Sequence, residues 1–101
     1  MEYIIRRADP DADPCDFALN YHDYPTVLHP TSVPWRQVSG WGSHRIEVPG
    51  GHIVFSDEFV GFQVIIEPDT IADEQADQWI AEICDNITQA TGEVAEFLRI
   101  D

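Results

Sequence analysis

Apolar residues recur along this chain at two different periods. Phe62, Val64 and Ile66 alternate with polar neighbours, the period-two pattern of a strand with one buried face. Past Pro68 the spacing changes. Ala72, Ala76, Trp79, Ile80, Ile83, Ile87 and Ala90 follow one another at threes and fours, gathering into a stripe about 100° wide on a helical period. The spacing predicts one long helix over residues 70–91. Thr70 and Asp73 are placed as a capping box in which Asp replaces the usual Glu or Gln, and Gly92 supplies the C-terminal cap.

Ahead of the helix, residues 52–56 and 60–67 read as strands, with Asp57 and Glu58 near the reversal between them. Residues 36–38 and 44–48 also look extended. Gly40 and Gly42 flank Trp41 as a bend or bulge, and Pro49, Gly50 and Gly51 make a turn. A first strand over residues 3–7 stops at Asp9 and Pro10, and a last strand over residues 94–100 pairs with it. Pro10, Pro14, Pro25, Pro30 and Pro34 interrupt the segment between, apart from a short helix started by Asp13 and Pro14 and running to about Tyr21. Its aromatics, Phe17, Tyr21, Tyr24 and Trp35, are too many to leave in water, so this loop-rich segment is expected to cover the core. The expected fold is α+β: an antiparallel sheet of four to six strands, one amphipathic helix on one face, and an N-terminal cover. A length of 101 residues fits one domain over residues 1–101, with a core that needs no metal or disulfide staple.

Charge sharpens this picture. The chain has 19 acids against 5 bases, a formal net charge of -14. All the bases are arginine, and none lies between Arg45 and Arg99, where twelve acids run from Glu47 to Glu96. On the expected helix, Asp73, Glu74, Asp77, Glu82 and Asp85 occupy the polar face with no cation among them. The helix dipole favours acids in the first turn, but Glu82 and Asp85 lie beyond it. The pairs Asp73/Asp77 and Glu82/Asp85 repel. Uncompensated charge of this kind suits steered association with a basic surface. With Asp57 and Glu58 of the hairpin, these carboxylates form the expected partner-binding set.

The same charge argues against direct contact with nucleic acid or anionic membrane, since both require cations to neutralise phosphate. No run approaches the roughly 20 apolar residues of a membrane span. Arg6 and Arg7 follow the brief apolar start instead of preceding it, and Cys15 and Cys84 lack motif spacing, so the chain reads as cytoplasmic and reduced. Asp9, Asp11 and Asp13 alternate like the opening of a calcium loop, but Pro14 stands where glycine is needed and Asn20 where the bidentate Glu belongs. His22, His29, His44 and His52 have no metal-ligand spacing, and Ser32, Ser39, Ser43 and Ser56 no nucleophile context. His52, beside Gly50 and Gly51, is the one histidine in a suggestive place.

These patterns point to a non-enzymatic binder without cofactor or metal that blocks a basic protein, whether a nuclease, a toxin or a nucleic-acid-binding protein. It would act as an inhibitor, antitoxin or immunity protein, with nucleic-acid mimicry as the sharpest form. A homodimer is a further partner. Two alternatives compete: an acidic composition adapted to a salt-rich cytoplasm, and a small enzyme or ligand-binding protein with a pocket built from Tyr21, Tyr24, Trp35 and Trp41.

Overall fold

The structure is a computed structural model that describes residues 1–9, 11, 17–58 and 61–101. Six strands form one antiparallel sheet: β1 (Glu2–Arg7), β2 (Arg36–Gln37), β3 (His44–Val48), β4 (Gly51–Glu58), β5 (Gly61–Glu67) and β6 (Ala95–Arg99). Their order across the sheet is β2-β3-β4-β5-β1-β6. Consecutive strands from β2 to β5 pair as hairpins, and β1 inserts between β5 and β6. The first and last strands pair as expected, with Ile5 opposite Phe97.

Period two then sorts the side chains. Tyr3 and Ile5, Ile46 and Val48, Ile53 and Phe55, and Val64 and Ile66 point to one face and are buried. The long helix α2 (Asp73–Thr91) lies on that face and buries Ala76, Trp79, Ile80, Ile83, Cys84 and Ile87. Cys84 thus joins the apolar stripe, while Ala72 and Ala90 fall outside it and are exposed. The helix begins at Asp73, later than its expected start at residue 70. Ala72 is the N-cap and makes no side-chain cap bond, so the Thr70/Asp73 capping box does not form. Residues 69–71 make a turn instead, in which the Ile71 amide donates to the Pro68 carbonyl at 3.3 Å. At the other end Gly92 has φ 74° and donates to the Thr88 carbonyl at 2.8 Å, as a left-handed C-cap should. The Thr88 hydroxyl accepts from the Ala95 amide at 3.1 Å, which fastens β6 to the helix.

The N-terminal segment does cover the core, with Phe17, Val27 and Leu28 buried against it. Its helix sits later than expected. Residues 17–20 are not helical, and a 3-10 turn over Tyr21–Asp23 leads into α1 (Tyr24–Val27), with Pro25 in its first turn. Asn20 caps that turn through its side chain and shares a reciprocal bond with Asp23, so Asn20 is its start signal. Asp13, Pro14 and Cys15 lie outside the described residues. On the other sheet face the 40–42 bend folds over Val54, which is 1% exposed. Gly42 lies so close that a Cβ there would stand 2.7 Å from the Val54 side chain.

Candidate functional site

Each of the five arginines has an acidic partner within the fold. Arg6 pairs with Glu96 at 2.9 Å, Arg7 with Glu93 at 3.4 Å, Arg36 with Glu47 at 2.9 Å and Arg45 with Glu67 at 2.7 Å. Arg99 reaches both Asp73 at 3.0 Å and Asp101 at 2.9 Å. These pairs bring the arginines outside the 46–98 stretch onto acids of the second half of the chain, a neutralisation that only the sheet order makes geometrically available. Among the described residues, no cation lies within ion-pair range of Asp57, Glu58, Glu74, Asp77, Glu82 or Asp85.

The helix does not present its acids on one face. At about 100° per residue they spread over three directions. Asp73 and Asp77 turn to the flank beside β1 and β6, where Asp77 accepts from the Tyr3 hydroxyl at 2.6 Å. Burial of the Tyr3 ring and this bond to Asp77 both push the phenol well above its ordinary value. Glu82 turns to the opposite flank. One of its oxygens accepts from the Thr31 amide at 2.8 Å, the Ser32 amide at 3.0 Å and the Ser32 hydroxyl at 2.9 Å, and the other accepts from Gln78 at 3.0 Å. Burial raises the Glu82 carboxyl, but these donors outweigh it and hold the group below its ordinary value. Glu82 is therefore a clamp that holds the proline-rich cover against the helix. Asn86, one turn on, assists by donating to the Val27 and His29 carbonyls. Glu74 and Asp85 alone point outward from the crest, and both are exposed.

Asp57 and Glu58 stand at the far end of β4, where alternation sends adjacent side chains to opposite faces. Asp57 lies on the helix side. Both of its oxygens accept from the Tyr24 hydroxyl at 2.9 Å, and its amide donates to the Ser43 hydroxyl oxygen at 3.2 Å. Asp57 and Glu58 nevertheless line one cavity of about 350 Å³, together with Phe17, Leu19, Tyr24, Gly61 and Phe62. Phe17 stacks on Phe62 with centroids 6.0 Å apart, and Tyr24 meets Phe62 edge-on at 5.5 Å. The sequence names the two acids but not this aromatic lining, because Phe17 and Phe62 are far apart in the chain.

Of the four aromatics Tyr21, Tyr24, Trp35 and Trp41, the first two line one small cavity of about 150 Å³ beside His44, while Trp35 lines another with Pro34 and Pro49. Trp35 stacks on His29 at 4.4 Å, Trp41 is 54% exposed with the Arg45 guanidinium 5.9 Å from its ring, and Tyr21 packs on Tyr24 at 5.9 Å. His52 is on the outer sheet face, 3.9 Å from Glu47. His44 is the buried histidine: it packs between Tyr24 and Phe55, and loss of hydration lowers its basicity below the ordinary value. No three His, Cys, Asp or Glu side chains come together as metal ligands among the described residues. No helix among them is long and apolar enough to cross a membrane. Comparison with protein-family models, curated proteins and solved structures finds no match for this chain.

Proposed function

We propose that this protein is a small acidic, non-enzymatic binder that occupies a basic surface of a partner protein, in the manner of an inhibitor, antitoxin or immunity protein. One observation carries the reading. With every arginine committed to an internal acid, Asp57, Glu58, Glu74 and Asp85 remain exposed without a cation among the described residues. Such residual charge opposes compaction and favours fast, salt-sensitive association with the opposite sign. Mimicry of a nucleic acid is the narrower form and has less support. Glu74 and Asp85 are eleven residues apart, about 16 Å along a helix at 1.5 Å per residue, which is sparser than the phosphates of a strand.

The test is affinity capture from the native host at low ionic strength, followed by elution with rising salt. A cationic protein that elutes as salt screens the interface is the expected outcome. Its absence, or retention indifferent to salt, contradicts the proposal.

A second reading, adaptation to a salt-rich interior, draws on the scatter of the residual acids over the helix crest and the strand end. Thermal melts across KCl separate the two. Screening alone gives a modest gain that levels off within a few tenths molar, where the Debye length is already below about 10 Å. Stabilisation that keeps rising into molar salt would favour adaptation.

A further inference from the structure

Resting on the binding role proposed above, we infer that the cavity at the end of β4 and β5 takes one cationic side chain of the partner, an arginine, as an anchor. A charge alone does not define the site. Buried Phe17, Tyr24 and Phe62 and half-buried Leu19 line it, and so do the exposed acids Asp57 and Glu58. A lining that joins buried apolar groups to exposed acids matches a ligand with an alkyl stem and a charged head. A guanidinium adds two further matches, since its flat face stacks on aromatic rings and its fork bonds a carboxylate through two parallel donors.

The carboxylate is also held in place. The Tyr24 hydroxyl engages both oxygens of Asp57 at 2.9 Å, which fixes the plane of the group and leaves further lone pairs for a second donor. Tyr24 in turn is pinned between Phe62 and His44. Gly61 completes the wall at φ 124°, and its close approach to the Ile5 carbonyl holds the start of β5 against β1. Asp57 is therefore set before any ligand arrives, and a preorganised carboxylate loses less on binding than a mobile surface acid. A volume of about 350 Å³ suits one long side chain and is at the small end for a drug-sized ligand. Anchors of this kind, an arginine in a partly apolar pocket, dominate many interfaces.

The probe is Nα-acetyl-arginine amide, titrated into the isotope-labelled protein and followed by amide chemical shifts. The lysine and norleucine analogues serve as the ammonium and uncharged arms. Shifts confined to Leu19, Asp57, Gly61 and Phe62, saturating at roughly millimolar probe, are expected for so small a ligand. Arginine should bind more tightly than lysine, and norleucine should bind at least about tenfold more weakly than arginine, the factor of roughly one charged contact. Glu58→Gln and Asp57→Asn should each weaken the arginine probe by about fivefold or more, and the first touches no bond inside the fold. Equal shifts from norleucine would overturn the inference by showing a merely apolar cavity. Shifts centred on Glu74 or Asp85, or none at all, would also overturn it. If salt-sensitive capture of a cationic protein persists in Glu58→Gln and Asp57→Asn, the anchor fails while the wider binding role stands.

Discussion

Neutralising Glu82 separates two accounts of the acidic helix. By sequence alone, Glu82→Gln relieves repulsion with Asp85 three residues on and leaves the fold unchanged or slightly firmer, a gain of about 0.2–0.5 kcal/mol. In the folded protein the same carboxylate accepts from two amides and a hydroxyl of the 31–32 loop. A hydrogen bond to a charged acceptor contributes about 1.5–3 kcal/mol and a neutral one about 0.5–1.5 kcal/mol, so exchanging the anion for an amide costs about 1–2 kcal/mol at this half-exposed site. The loss exceeds the relieved repulsion. A net destabilisation of about 1 kcal/mol should lower the melting temperature by about 4–8 °C in a domain of this size. Urea denaturation gives the free energy, and hydrogen exchange should show faster exchange of the Thr31 and Ser32 amides. Because its folded value lies below the ordinary one, Glu82 contributes fully above about pH 4.5, and the contribution is lost as pH falls through the folded value. Asp85→Asn is the control, since it removes the repulsion without touching the clamp. If Glu82→Gln matches Asp85→Asn in stability and the two amides keep their protection, the clamp is refuted.

Three further outcomes follow from buried groups. Burial lowers the basicity of His44 in the fold, so its unfolded form binds protons more readily. Stability should fall as pH drops below about 6.5 towards the folded value, by at most about 1.4 kcal/mol per pH unit, and His44→Phe should lose that share of the slope in urea titrations. Burial first, then the charges of Asp85 and Glu96, push the Cys84 thiol up to about 12, so in a Cys15→Ser variant a disulfide reagent should label Cys84 only in denaturant; fast labelling of that native variant at neutral pH would contradict its placement. Gly61→Ala puts a methyl group against the Ile5 carbonyl at a φ of 124°, where neither backbone can yield, and a loss of about 3 kcal/mol or more is expected; a smaller cost would show that β5 and β1 are less tightly apposed.

The α+β layout was legible because both hydrophobic periods are long. The helix stripe from Ala76 to Ile87 and the alternation through Phe62, Val64 and Ile66 each bury one face, and each sits where the pattern placed it. Element ends were less legible, since Thr70 met the rule for a cap but the turn after Pro68 moved the helix start to Asp73. The acids show the same division. Their number follows from composition, but their roles depend on which strand lies beside which. Glu47, Glu67, Glu93 and Glu96 meet arginines only once β1 enters between β5 and β6 and β3 pairs with β2 and β4. Glu82 looked unsatisfied because its donors, Thr31 and Ser32, come from an irregular segment with no periodicity to place it. Period two did hold one unused clue, since adjacent Asp57 and Glu58 on a strand cannot share a face.

The carboxylates left without internal cations are proposed to meet those of another protein. That role is tested most directly by comparing capture from the native host by the wild-type chain and by the Asp57→Asn, Glu58→Gln, Glu74→Gln, Asp85→Asn quadruple variant, which keeps every arginine pair and the Glu82 clamp. A basic protein bound by the wild type at low salt, released at high salt and missing from the variant is the expected result. Equal capture by both, or no basic protein with either, contradicts it.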